Sequence, residues 1–446
     1  MNRATIEWDR HFAALADEII GKRQAGEEIL CSLSAEQSDF IRFNAAKVRQ
    51  IGSVQQGHLT LRLISGERHA YSTLTVSGSM AQDLADVAQT LLTLRASLLD
   101  TGADPHLLFD QSSWQRTTFR TGRVPQAEAL VRTVGECAKG LDFVGFYAGG
   151  TIIEGFASST GSRGWYQVSN FNFSWSLYDA NGRAIKTSYA GDDWDDAVFA
   201  RKVDEAARRL EYFTQTPKVL TRGSYRTYFA PAAMQELIGL IGYEGFSARE
   251  HATARSPLYK LNSGTQNFDP RISLSEDLDL GLTPAFNEDG YLRESVSLIE
   301  QGRGIGQLTS ARSALEYGLR PNGANAAEMT TSLSMTGGAL PEAEVLAALG
   351  TGLYVGNLWY LNVSDRTQCR LTGMTRFATF WVEDGQIRSP VDAMRFDDSL
   401  YRLLGSEVEH LTDTPELLLE DSTWGQRRTG GMKLPGMVVR SFELTL

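Results

Sequence analysis

Apolar residues recur along this chain with two different periods. Met80, Leu84, Val87, Leu91 and Leu94 form one stripe at helical spacing, and Ser79 precedes them as an N-cap, so the spacing predicts a helix over 80–99. Ile6, Phe12, Leu15, Ala16, Ile19 and Ile20 approximate one helical face in the same way. Elsewhere the period is two. Leu59, Leu61 and Leu63 alternate with Thr60, Arg62 and Ile64, and ILCSLSAEQSDFIRF, KVRQIGSVQQGHLTLRLISG and ERHAYSTLTVSG read as successive strands. Further helices are expected over 126–138 and 195–212, and strands over 143–153, 165–178, 184–189 and 218–229. Asn181-Gly182 and Asp384-Gly385 each divide two apolar runs, the second separating FATFWVE from QIRSPV, which is a strong hairpin signal. Alternation places Phe377, Thr379 and Trp381 on one face of that strand and Phe380 on the other. One face is then expected in the core and the other in an interface with a second subunit.

Composition narrows the class. With 446 residues, 42% apolar and 22% charged, the chain is long enough for two domains and too apolar for disorder. The net charge of −11 disfavours sequence-independent contact with a phosphate backbone, so no nucleic-acid partner is expected. Cys31, Cys137 and Cys369 are odd in number and far apart, which suits free thiols in a reducing compartment. The N-terminal stretch carries Glu7, Asp9 and Glu18 and no apolar signal region, and no uninterrupted apolar run approaches membrane-spanning length. A cytoplasmic protein without membrane partners is expected.

Several passages, in order, resemble the TldD/PmbA (TldE) family of metallopeptidase-like proteins. They are Phe43-Asn44 with Val48-Arg49-Gln50, then Leu61-Arg62, then Gly66-Glu67-Arg68-His69-Ala70-Tyr71. The run from Gly223 to Ala233 follows the family's G-x-Y…P-x-A, and Asn287-Glu288-Asp289-Gly290 leads to Leu298-Ile299 and Gly302 as in its acidic-Gly…L-I-x-x-G passage. Asp384-Gly385 followed by Ile387 and Pro390-Val391 is similar to its C-terminal domain. The resemblance implies an α+β fold of two domains. Residues 1–220 would form a mixed sheet with helices, and residues 221–446 a curved, mostly antiparallel, barrel-like domain.

In the TldD branch the resemblance implies a zinc ion held by an H-E-x-x-x-H helix and a Cys near the C-terminus, with an open position for water. This chain has six histidines, His11, His58, His69, His106, His251 and His410, and no such motif. Laying the family helix on the segment after Pro231 puts Tyr243 and Ala248 at the two imidazole positions and Glu244 at the carboxylate. Arg427, Arg428 and Thr429 lie where the thiol belongs. The departure resembles the PmbA/TldE branch, which implies no cofactor in this chain, zinc only in a TldD-like partner, and no catalytic residue of its own. The function expected is a subunit of a TldD–TldE-type peptidase acting on unfolded peptides. Two alternatives stay open: a stand-alone homodimeric peptide-binding protein without catalysis, and a hydrolase with an unrecognised site. Peptide capture by strand addition at a sheet edge suits the strand-rich aromatic composition.

Other constellations read as structural. Glu250-His251 is a surface pair, and Cys369 a buried inert thiol. Gly302 to Gly306 is a turn without the residues of a phosphate loop. Asp192, Asp193, Asp195 and Asp196 gather at a helix start, where carboxylates suit the dipole.

Overall fold

The computed structural model describes residues 6–445. The N-terminal half runs α1 (Trp8–Gly21), β1 (Glu27–Asn44), β2 (Lys47–Ser65), β3 (Arg68–Thr75), α2 (Met80–Asp100), β4 (Gln115–Arg120), α3 (Ala127–Cys137), β5 (Asp142–Ser158), β6 (Arg163–Tyr178), β7 (Ala184–Gly191) and α4 (Asp196–Glu211). Its sheet has the order β3-β2-β1-β5-β6-β4, with β7 also on β6; β4 lies parallel to β6 and the other pairs are antiparallel.

The two sequence periods meet on this sheet. Leu59, Leu61 and Leu63 of β2 are fully buried beneath the α2 stripe of Val87, Leu91 and Leu94 and the α1 face of Phe12, Leu15 and Ile19. Ser79 holds the N-cap position of α2, but its side chain makes no capping bond. The buried carboxylate of Asp83 satisfies the region instead. It accepts from the backbone N–H groups of Ser77 (2.8 Å) and Gly78 (3.2 Å) and bonds His11 Nε2 at 2.7 Å. Toward the other end, Phe173 of β6 lies 5.2–5.9 Å from the rings of Phe43, Phe143, Tyr147, Trp175 and Phe199. At the start of α4, Asp195 accepts from the N–H of Ala197, and Asp193 pairs with Arg123.

The C-terminal half runs β8 (Gly223–Phe229), α5 (Pro231–Glu244), α6 (Ala248–Ala252), β9 (Leu274–Glu276), β10 (Val296–Glu300), β11 (Arg303–Gly304), β12 (Ser332–Met335), β13 (Gly352–Asp365), β14 (Arg370–Glu383), β15 (Gln386–Pro390), β16 (Arg395–Ser399), β17 (Val408–Leu411), β18 (Glu416–Leu419), β19 (Gly431–Leu434) and β20 (Met437–Leu444), with short further helices between. Strands β13-β8-β20-β16-β14 close into a five-stranded barrel because β14 pairs back onto β13. Beside it stands the sheet β11-β10-β9-β12-β19-β18. The α+β class, the mixed N-terminal sheet and the barrel-like C-terminal body agree with the reading from sequence. No helix among the described residues is long and apolar enough to cross a membrane.

Three local expectations are corrected. The strand expected from residue 218 begins at Gly223, and Lys218 instead makes an isolated bridge with Val391. Glu250 and His251 are not a surface pair: both are buried, and Glu250 is paired with Arg255 at 3.0 Å. The alternation assumed for β14 is broken by a bulge. Between the Val355–Thr379 and Asn357–Arg376 pairs β14 carries an extra residue, and Phe377 adopts φ 56° there. Phe380 is therefore fully buried against Phe213 (5.7 Å), while Trp381 packs on Tyr225 with the Lys218 ammonium 4.0 Å above its ring. Phe380 is covered within the chain, and Trp381 is partly buried against the C-terminal core. The Asp384-Gly385 turn forms as read, with both residues at positive φ (50° and 73°).

Phe173→Ala should lower stability by about 3–5 kcal/mol, because its cavity cannot collapse among five other rings. The exposed Leu92→Ala should change it by less than about 0.5 kcal/mol. Paired urea titrations measure both, and similar values for the two would contradict the assigned core.

Candidate functional site

Helix α5 organises a large cleft. Ala230 is extended and Pro231 occupies the first helical turn, where its missing N–H costs nothing. Ala233, Met234, Leu237, Ile238 and Ile241 are at most 1% exposed and lock one face of the helix into the core shared with Phe229, Val355 and Met437. Helical spacing then turns Ala232, Gln235, Glu236 and Gly239 away from that core, with Leu240 packed at its margin. Those residues form one wall of a cleft of about 940 Å³. Asn172 and Ser174 of β6 and Lys186 to Ser188 of β7 form the facing wall. Residues 325–327 and 329–331, Glu288, Asn357 and Leu361 line it further, as do Leu418 to Asp421 and Arg428 to Met432.

Two sheet edges border this space. Strand β7 pairs only with β6, and β18 only with β19. The segment 420–430 joining β18 to β19 crosses onto the N-terminal sheet and is pinned there by Arg427. That guanidinium is 5% exposed and donates to Ser38 Oγ (3.3 Å), Asn170 O (3.2 Å) and Asn170 Oδ1. Burial lowers its pKa to about 10, against the opposing pull of Tyr147 and Glu36. Gln56 donates to Gly425 O at 2.8 Å, and Gln426 donates to Ser34. Ser34 in turn donates to Glu154 Oε1 at 2.9 Å. Burial drives the Glu154 carboxyl up to about 7; the Ser34 bond and Arg428 oppose the rise, and Glu288 adds to it.

The cleft is acidic. Glu236, Glu288, Glu420 and Asp421 line it and form no ion pair among the described residues, against the equally unpaired Lys186 and Arg428. Burial also raises the Glu236 carboxyl, Lys186 opposing and the like charge of Asp421 reinforcing the shift.

The structure brings none of Tyr243, Glu244 and Ala248 to the cleft. Tyr243 is 57% exposed, Glu244 pairs with Arg366 at the end of α5, and Ala248 is fully buried at the start of α6. Of the three residues at the expected thiol position, Arg428 and Thr429 do line the cleft, whereas Arg427 is turned into the N-terminal sheet. Sequence reasoning missed Gln235, Glu236 and Leu240. Their signal was present: Gln-Glu-x-x-x-Leu repeats the His-Glu-x-x-x-His spacing with its Glu in place, on the only face of α5 that the apolar stripe leaves free. The cleft lining contains no imidazole and no thiol, so its side chains do not fit a zinc site. No three His, Cys, Asp or Glu residues cluster as metal ligands among the described residues. Burial pushes the thiols of Cys31 and Cys369 up to about 12.

The profile of the PmbA/TldA metallopeptidase C-terminal domain matches residues 222–446, from the start of the barrel onward. The chain belongs to the TldD/PmbA family. TldE from Thermococcus kodakarensis shares its fold with a TM-score of 0.75 at 13% identity, the match covering 98% of this chain and all of that one. A proposed modulator of a DNA gyrase from Thermotoga maritima superposes with a TM-score of 0.76 at 13% identity over 97% of this chain and all of its own. A proposed modulator of DNA gyrase from Bacteroides thetaiotaomicron gives 0.73 at 14% over 99% and all of its own. No curated protein sequence matches. At such identities the TldD/PmbA likeness to these structures concerns the fold, and the side chains of the cleft stand on their own geometry.

The Glu154 shift carries a sign. A carboxyl whose folded value is near 7 and unfolded value near 4.5 holds a proton in the folded chain alone between those limits, so it lowers stability as pH rises through that window. Glu154→Gln should gain stability relative to the parent chain between about pH 5 and pH 8. Denaturation midpoints at the two pH values read the difference, and a difference independent of pH would contradict the assignment.

Proposed function

We propose that this chain is the TldE-like subunit of a TldD–TldE-type peptidase acting on unfolded peptides in the cytoplasm, with no zinc of its own. The observation that carries the reading is the cleft face of α5. Gln235, Glu236 and Leu240 on that face repeat the spacing of a His-Glu-x-x-x-His helix, with the carboxylate present and no imidazole at either end. Glutamine and leucine cannot hold zinc, and without a metal-bound water the Glu236 carboxylate has nothing to activate as a general base.

What the chain's own residues supply is binding. Strands β7 and β18 are sheet edges that line the cleft. An extended peptide added to one of these edges would satisfy its backbone groups along that side without demands on its sequence, which is the requirement for a broad unfolded substrate. Bond cleavage belongs to a TldD-like partner carrying His, Glu, His and Cys.

The test uses the full-length chain with and without such a partner. Alone, it should contain well under one zinc per chain after dialysis and leave casein intact. With a TldD-like protein added, cleavage should appear and should stop with a chelator. Cleavage by the chain alone that survives chelation would overturn the reading in favour of a self-contained hydrolase.

A further inference from the structure

We infer that the cleft selects cationic stretches of peptide, with Glu236 as a specificity-determining residue and Glu288 and Asp421 as its supports. This rests on the peptide-binding reading above and adds a substrate class to it. The cleft walls present Glu236, Glu288, Glu420 and Asp421 against Lys186 and Arg428. Surface carboxylates elsewhere in the molecule commonly have partners, as Glu294 has Arg320, Asp204 has Arg208 and Asp193 has Arg123. The four in the cleft have none among the described residues, and Glu236 and Asp421 repel each other across it.

Unpaired like charges held together by a fold cost stability and persist where a ligand neutralises them. The fixed rotation of α5 keeps Glu236 in the cleft. Lys186 lies close enough to hold the Glu236 carboxylate toward its charged form but makes no ion pair with it. A lysine or arginine side chain of a bound peptide would meet Glu236 and Asp421 together, relieving their mutual repulsion. Its aliphatic stem would lie along Leu240, Leu361 and Met432, which line the same space. An acidic peptide would add charge of the same sign and be rejected. Lys186 and Arg428 offset only part of this field, since four carboxylates line the cleft against two cations.

The test is fluorescence anisotropy with three labelled, end-capped peptides of one Gly/Ala/Ser background, carrying two lysines, two glutamates or neither. At low salt the lysine peptide should bind the full-length chain roughly tenfold tighter than the glutamate peptide, as expected for two partly screened ion pairs. The ratio should shrink toward one at about 0.5 M salt. Glu236→Gln should reduce the ratio several-fold while leaving the neutral peptide's affinity unchanged, and far-ultraviolet circular dichroism verifies its fold. Glu294→Gln, outside the cleft lining, should leave the ratio intact. Equal binding of all three peptides would overturn the charge selection and leave peptide binding standing. An unchanged ratio in a folded Glu236→Gln chain would overturn the assignment to this residue. No binding of any peptide would remove the peptide-binding reading itself, and the selection with it.

Discussion

The rotation of α5 about its own axis is the constraint on which the site depends. Five side chains, Ala233, Met234, Leu237, Ile238 and Ile241, are buried against the barrel. Fully burying each larger aliphatic side chain is worth about 1.5–3 kcal/mol, so together they far outweigh the roughly 1 kcal/mol that separates an isolated surface carboxylate from one placed near another. The helix therefore cannot turn to relieve Glu236. Its polar face is delivered to the cleft by the packing of its apolar face, and the chemistry of the site follows from which residues occupy positions 235, 236, 239 and 240.

The second constraint lies across the cleft. Arg427 is a cation removed from water and met by neutral acceptors, an arrangement tolerated when hydrogen bonds replace the lost solvation. It fastens the 420–430 segment to β1 and β6, and with it the wall formed by Asp421 and Arg428. Through Gln426, Ser34 and Glu154 the same segment is tied to a carboxyl whose proton is exchanged near neutral pH. Ionisation of Glu154 and the placing of the cleft wall thus share one chain of contacts.

Much of this was legible in the sequence, and the parts that were not share a cause. The α2 stripe, the alternation of Leu59, Leu61 and Leu63, and the Asp384-Gly385 turn are local signals, and each formed as read. The bulge at Phe377 is set by how β14 must bend to close the barrel with β13, which no local pattern encodes. Ser79 had the composition of a cap, but the buried carboxylate of Asp83 met the nearby backbone donors. The cleft face of α5 was overlooked for a similar reason. A search for a degenerate motif weighs residue identity, and Tyr243-Glu244 offered a polar residue beside a glutamate. Helix α5 ends at Glu244 and Ala248 opens the separate helix α6, so a register starting at Tyr243 cannot keep both ligand positions on one helix.

On the proposed reading, an unfolded peptide lies in the α5 cleft. Photo-crosslinking of a peptide bearing a benzophenone group to the full-length chain, with the adducts located by mass spectrometry, tests it most directly. Adducts are expected in segments 186–188, 235–240, 418–421 and 428–432, lost when an excess of unlabelled peptide competes. Adducts concentrated instead on the exposed rings of Trp359, Tyr360 and Trp424, with none on α5, would contradict it.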